Sequence, residues 1–336
     1  MNTATELIHR HPGNPVLAAA DVPYDSTLVF NAGVAKFRGQ YVMVVRNDYG
    51  PKNKQEYQSG ERWRTNIGLA WSDDGVDWTV APEPCFEMNS DEMRRAYDPR
   101  LTVIDDRCYM CFAVDTMHGI RGGVAVTDDF EHFDVLSMSA PDNRNMVLFP
   151  EKVNGKFCRL ERPFPIYGRG APERFDIWFA DSPDARYWGN QQLVLGAEQL
   201  PWCNNKIGPA APPIRTDRGW LALIHVVDKD ENRPLDSWET RDWTKRYTVG
   251  AMLLDLDEPW RATGLSPEPI MLPTERYETH GFRGGVIFPG GLIDEGDGTV
   301  RIYYGAADTV ECLATARIAD LLDACDTFSA HRTLNR

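Results

Sequence analysis

No apolar run in this 336-residue chain approaches the roughly 20 residues needed to span a bilayer, and the opening MNTATELIHRHPGNP lacks the apolar stretch of a secretory signal. The expectation is a cytoplasmic protein with no membrane partner. An excess of basic residues is missing too: 36 Lys and Arg stand against 50 Asp and Glu, a formal net charge of −14. Nucleic acid is therefore excluded as a partner, because displacing its counterions takes a basic face. The sequence has no G-x-S-x-G elbow, no H-E-x-x-H helix and no Walker loop, which removes esterase, metalloprotease and P-loop readings. Sustained helical periodicity is absent apart from short stretches such as 318–325 (IADLLDAC). The seven cysteines are odd in number and lie mostly in apolar segments, so reduced, buried thiols are expected. Cys108 and Cys111 form one C-x-x-C, but RCYMCFAV reads as a strand, where residues three apart face opposite ways and cannot easily share a metal.

What is present is a repeat. With 42% hydrophobic and 26% charged residues the chain is an ordinary globular one. Five times it runs through a strand, a Gly- or Asp-containing turn and a second strand: 31–45, 98–112, 149–161, 211–225 and 289–304. The turns FRGQ, IDDR, VNGK, TDRG and EGDG supply residues that tolerate positive φ. A further strand follows each hairpin, starting near 67, 123, 177, 250 and 312, and in four cases it enters an acidic turn or an aromatic (SDDGVDW, TDDFEHF, SPDARYW, DLDEPW). Five units of three or four short strands predict an all-β, five-bladed β-propeller with its active site at one end of the central channel. A β-sandwich would not require five copies of one strand–turn–strand–acidic-turn order. Residues 1–336 are expected to form a single domain, with an N-terminal arm at 1–27 and a short C-terminal extension at 318–336.

Polar residues recur at corresponding hairpin ends: Asn31, Arg46, Asp98, Arg100, Arg162, His225 and Asp308. In a propeller the innermost strands line the axis, so these ends converge on one funnel. A charge ending a buried strand needs an internal partner or a ligand. Two accounts stand side by side. Asp98 with Arg100, and Arg46 with Asp308, form internal pairs while His225 is a satisfied core histidine; or the group binds a substrate. Arg144 and Arg162 bracket one hairpin and Lys206 precedes a stiff turn in NNKIGPAAPPI, and together they make a cationic cluster suited to a small oxyanion. Three long polar insertions, 49–64, 163–174 and 227–246, read as rims or lids over one end of the channel.

The runs FNAGV (30–34), YDPRL (97–101), NRNMVLFPEKVNGKF (143–157), RLERP (159–163), KIGPAAPPI (206–214), GWLALIH (219–225), RYTVGAMLLDLDEPW (246–260) and YYGAAD (303–308) together resemble the inverting β-mannoside phosphorylases of glycoside hydrolase family 130. The resemblance spans nearly the whole chain in order, and that family is a five-bladed propeller. It implies that Asp98 is the general acid, passing its proton through a sugar hydroxyl. It implies phosphate ligands at Arg144, Arg162 and Lys206, with His225 and Tyr247 nearby, and a mannosyl site at Asn31, Arg46 and Asp308. Arg100, from the funnel set, and His118, in the mouth segment 115–122, complete the candidate substrate-binding residues. The acceptor is expected to stack near Trp238 and Trp243. The partners implied are a β-mannoside oligosaccharide and inorganic phosphate as co-substrate, with no cofactor and no metal, in a chain that can form a homo-oligomer. An inverting glycosidase needs an acid and a base; phosphate is already an anion, so one acid and a cationic cradle suffice. Serving as an acid, Asp98 is expected to have a pKa raised by burial and opposed by nearby arginines. A hydrolase on the same scaffold and a non-catalytic sugar-binding propeller are the alternative readings.

Overall fold

Local turn chemistry closes the hairpins. Three of the five turns place two consecutive residues at positive φ: Arg38 and Gly39, Asp105 and Asp106, Asn154 and Gly155. Such turns match the right-handed twist of the strands they join. The computed structural model describes residues 7–164 and 175–329. Among the described residues, 21 strands form five sheets in the order the repeat predicts. The first blade is β2 (Leu28–Phe37), β3 (Gln40–Tyr49), β4 (Arg64–Ser72) and β5 (Thr79–Val80); the second is β6 (Met93–Ile104), β7 (Arg107–Thr116), β8 (Gly119–Thr127) and β9 (Asp134–Met138). The third comprises β10 (Asn143–Leu148), β11 (Phe157–Pro163), β12 (Ile177–Ser182) and β13 (Gly189–Leu195). In the fourth, β14 (Lys206–Pro209) and β15 (Ile214–Thr216) both pair with β16 (Gly219–Lys229), followed by β17 (Lys245–Leu254) and β18 (Ala262–Leu265). The fifth runs β19 (Ile287–Asp294), β20 (Thr299–Ala306) and β21 (Val310–Arg317), and β1 (His9–Arg10) is its outermost strand. Within the N-terminal arm, His9 and Arg10 thus join the last blade and help close the ring.

Two expected strands differ. The inner strand of the third blade is 143–148, not 149–153, because Pro150 offers no ladder donor. In the fourth blade the Pro212–Pro213 pair splits the inner edge into two short strands. The acidic turns are one motif in three copies. Asp74, Asp129 and Asp184 each accept two backbone amides within their own turn, and Ser72, Thr127 or Ser182 two residues earlier completes it.

The core is divided among the seams between blades. Five of the apolar clusters fill the five interfaces, for example Val29, Met43, Tyr303 and Leu313 between the fifth and first blades, and Val147, Leu160, Ile224 and Met252 between the third and fourth. Cys108 belongs to the first–second seam and Cys111 to the second–third, so the C-x-x-C does face two ways. Helix α3 (Ile318–Ser329) lays Leu321, Leu322 and Cys325 into the fourth–fifth seam. Two short helices, α1 (Lys54–Ser59) and α2 (Arg276–Thr279), belong to the mouth insertion and the outer fifth blade. Among the described residues no helix is long and apolar enough to cross a membrane.

Candidate active site

The innermost strands are interrupted at one common level. Register shifts fall between Phe30 and Gly33 in β2, Tyr97 and Arg100 in β6, and Arg144 and Val147 in β10. Each bulge holds one polar residue at positive φ: Asn31 (54°), Asp98 (53°) and Asn145 (57°). Asn and Asp adopt this left-handed region more readily than other side chains, and a bulge re-aims the side chain it carries. All three therefore turn into the channel, where they line a cavity of about 250 Å³. That is smaller than the roughly 300–1,000 Å³ of drug-sized pockets, and suits one sugar ring with a small co-substrate.

Asp98 sits at the centre. Its Oδ1 accepts from Asn31 Nδ2 at 3.0 Å and from Arg46 Nη1 at 3.1 Å. Arg46 also grips Asp48 through Nε and Nη2, at 3.0 and 2.6 Å, and lies over the rings of Phe30 and Tyr97. Burial alone drives the Asp98 carboxyl up, but Arg46, Arg100, the Asn31 bond and Arg144 together outweigh it and hold it below the usual carboxylate range. The expected raised value is thus corrected: without an anion beside those guanidiniums, Asp98 is ionised. Asp308, across the cavity, goes the other way, raised by burial against Arg283 and Arg46, with Asp98 adding to the rise. It is tied to Arg283 at 3.3 Å, and Arg283 to Glu239 of the 227–246 insertion at 2.6 Å.

Among the described residues, five guanidiniums line the cavity. Three are neutralised: Arg46 by Asp48 and Asp98, Arg95 by Asp115 at 2.7 Å, and Arg283 by Glu239 and Asp308. Arg144 and Arg162 have no carboxylate partner among the described residues. Arg144 donates through Nη1 to the Tyr97 hydroxyl at 3.3 Å, and that hydroxyl donates to Asp115 at 2.8 Å. Arg162, 1% exposed, reaches His225 Nε2 through Nη1 at 2.9 Å. Asn145 Nδ2 approaches the same nitrogen at 3.3 Å. Both neighbours are donors, so Nε2 accepts and the imidazole is neutral with its proton on Nδ1. Burial and then Arg162, Lys206 and other cations push His225 well below the usual histidine range. Burial and the neighbouring Arg144 likewise bring Arg162 down to about 9. The Nε of Arg144 and the Nε and Nη2 of Arg162 are shielded from solvent and make no hydrogen bond among the described residues. Buried donors without acceptors are costly, and a bound oxyanion would satisfy them.

Of the residues singled out in the sequence, Asn31, Arg46, Asp98, Arg144, Arg162, Tyr247 and Asp308 line this cavity. Two lie just behind it. His225, fully buried, stacks against Tyr247 and holds Arg162; Lys206 lies with its ammonium 5.6 Å from the Tyr247 ring centre. Two do not belong to it. Arg100 turns away beneath the floor, donating to Ala210 O at 2.6 Å and Pro99 O at 2.8 Å, because strand alternation resumes after the bulge and points it to the opposite face. It makes no ion pair with Asp98 and does not line the cavity. His118 is exposed in the 116–119 turn between β7 and β8, away from the lining.

The aromatic wall at the mouth is also corrected. Trp243 is buried, its Nε1 donating to Gly284 O, and Trp238 stands behind Trp63 in a stack with 6.2 Å between ring centres. At the mouth, Tyr57 and Trp63 from the 49–64 insertion and Phe282 reach the cavity, beside Tyr97, Tyr247 and Phe288. Gln58 donates to Trp238 O, so the two insertions dock on each other over the mouth. In the third insertion, residues 165–174 lie outside the described residues. Sequence reasoning missed Asn145, Arg95, Tyr97 and Arg283. Asn145 shares with Asn31 and Asp98 only a ladder position, two residues before strand pairing resumes at Val147, Gly33 and Arg100, which no local sequence pattern announces.

Beneath Asn31, the fully buried Glu311 accepts the Ala32 amide at 3.1 Å, and burial pushes its carboxyl up to about 8. The unfolded chain releases this proton near 4.5 and the folded protein only near 8. Between those values the folded state binds more protons, so this contribution to stability declines as pH rises. Glu311→Gln is expected to flatten that decline, measured by denaturant unfolding across the window.

Residues 10–327 match a family model described as beta-1,4-mannooligosaccharide phosphorylase. A beta-1,4-mannooligosaccharide phosphorylase of Ruminococcus albus is 32% identical over 97% of this chain and 92% of its own. A beta-1,2-mannobiose phosphorylase of Listeria innocua is 30% identical over 94% of this chain and 97% of its own. The solved structure of a beta-1,2-mannobiose phosphorylase from Listeria innocua, in complex with beta-1,2-mannobiose, superposes with a TM-score of 0.80 at 27% identity, covering 97% of this chain and 100% of that one.

Proposed function

Since the chain belongs to glycoside hydrolase family 130, we propose that it cleaves a β-mannoside with inorganic phosphate, with inversion, to give α-mannose 1-phosphate and the freed acceptor sugar. The observation that carries this reading is the pair Arg144 and Arg162, two guanidiniums facing one cavity with three donor nitrogens unused and, among the described residues, no carboxylate to neutralise them. A hydrolase using water has no need of such a pair; a tetrahedral anion does.

Phosphate held there attacks the anomeric carbon from the α face while the glycosidic C–O bond breaks on the β face. Asp98 supplies the proton that the leaving oxygen takes up, and the proton lost by phosphate as it becomes an ester balances the exchange. Asn31 and Arg46 hold the Asp98 carboxyl in place. Asp308, fixed by Arg283, is an acceptor for sugar hydroxyls. His225 and Asn145 keep the Arg162 fork aimed into the cavity. The anion also cancels part of the field that depresses Asp98, so phosphate binding favours the protonated acid.

A panel of β-1,2- and β-1,4-linked mannosides, incubated with and without phosphate, tests the reading. Mannose 1-phosphate is expected only when phosphate is present, and the linkage consumed fastest identifies the acceptor geometry. Release of free mannose at equal rate without phosphate would replace the phosphorylase with a hydrolase.

A further inference from the structure

The side chains that do the chemistry stand on a buried layer whose own residues never reach the cavity. Asn31 and Asp98 hydrogen-bond to each other from two bulges on neighbouring blades, and both hold left-handed backbone. Backbone of this kind persists only where its surroundings over-determine it. Arg100 is 3% exposed. Its Nε donates to Ala210 O of the fourth blade at 2.6 Å, and its Nη1 donates to Pro99 O, inside the Asp98 bulge, at 2.8 Å. The same Nη1 lies 3.5 Å from Asn31 O in the first blade, and the guanidinium covers the Phe288 ring of the fifth at 4.9 Å. One side chain thus joins four of the five blades at the axis.

Glu311, on β21, works from the other side. One oxygen accepts the Ala32 amide at 3.1 Å, in the residue next to Asn31. Backbone contacts leave no slack between them: a Cβ at Gly33 would lie 2.7 Å from Leu101 N, and one at Gly305 would collide with the Asn31 side-chain oxygen.

We propose that Arg100 and Glu311 are positioning residues that set the separation and aim of Asp98 and Asn31, Arg100 by holding the carbonyls of both bulges and Glu311 by holding the Ala32 amide of one. The activity arm of the test rests on the mannoside phosphorolysis proposed above; a second arm does not.

The variants are Arg100→Lys, Glu311→Ala and Glu311→Gln, each compared with the wild-type protein. Arg100→Lys keeps the charge and loses the fork. Its kcat on a β-mannobiose with phosphate is expected to fall about 100-fold, the scale of loss for a misplacement of about 1 Å. On β-mannosyl fluoride with phosphate, whose leaving group needs no proton, the loss is expected to be about tenfold smaller, because an acid contributes nothing to that departure. Glu311→Ala is expected to behave like Arg100→Lys, and Glu311→Gln, which restores an acceptor oxygen for Ala32, to recover most of the rate. Equal losses on both substrates would mean a merely structural role and overturn the proposal, as would unchanged kcat in folded Arg100→Lys. The second arm is amide hydrogen exchange, expected to rise selectively over 29–34 and 97–101 in Arg100→Lys. Should the wild-type protein not phosphorolyse mannosides, the functional reading falls. The exchange result then decides the bracing by itself: unaltered protection in those segments refutes it.

Discussion

Asp98→Asn is expected to lower kcat for phosphorolysis of a β-mannoside by about 10³-fold, within the range that general acid catalysis contributes, while the protein stays folded. Asparagine keeps an oxygen for Asn31 and Arg46, and Arg46 retains Asp48 as its counter-ion. On β-mannosyl fluoride the variant is expected to lose far less. A similar loss on both substrates would remove Asp98 from the acid role, and a leaving-group-dependent loss in Asp308→Asn would move that role to Asp308. The second outcome has a physical basis, since the cavity drives the two carboxyls apart, Asp308 up and Asp98 down. The pH profile gives an independent check. An acid must carry its proton, so activity falls as pH rises through its pKa. Arg144 and Arg46 depress that pKa in the empty cavity, and bound phosphate opposes Arg144. The alkaline limb of kcat, measured on the complex, is therefore expected at higher pH than the limb of kcat/KM for phosphate, measured on the free enzyme.

Arg162→Met is expected to cost about 3–6 kcal/mol of phosphate binding, taking two charge-assisted hydrogen bonds at about 1.5–3 kcal/mol each. That corresponds to roughly 10²- to 10⁴-fold in affinity. The same substitution is expected to stabilise the phosphate-free protein. Arg162 is buried beside Arg144 with two unsatisfied nitrogens, and a charge held in this way is a cost that only the ligand relieves. Thermal unfolding with and without phosphate measures both effects: the wild-type melting temperature rises with phosphate, whereas the variant starts higher and barely responds. A variant that still responds like wild type would place the anion elsewhere.

Much of this was legible along the chain because it is local. The turns at 38–39, 105–106 and 154–155 need only residues that tolerate positive φ, and the acidic turns need only a carboxylate two residues after a hydroxyl. The less legible features depend on rotation by one residue. Arg100 stands two residues from Asp98 and was grouped with it, yet the bulge ends between them and sends the arginine beneath the floor. Asn145 was passed over because its bulge lies in a strand that begins before the hairpin the sequence suggested. Trp243 and Trp63 look equally suited to a sugar ring as residues in polar insertions. Their difference arises only when the two insertions dock, burying one indole and leaving the other on the cavity.

The sequence by itself determined the repeat, and through it the number of blades, the hairpins that build them and the level at which polar side chains enter the channel. It also supplied the inventory of acid and base groups found there. Tertiary structure decided which of those charges are already neutralised. Compensation is made between blades, as when Arg46 meets Asp98 across 52 residues, while Arg144 and Arg162 lie side by side with no carboxylate partner among the described residues. Charge balance inside a low-dielectric cavity depends on separations of a few ångströms, which residue order does not encode and the closed ring does.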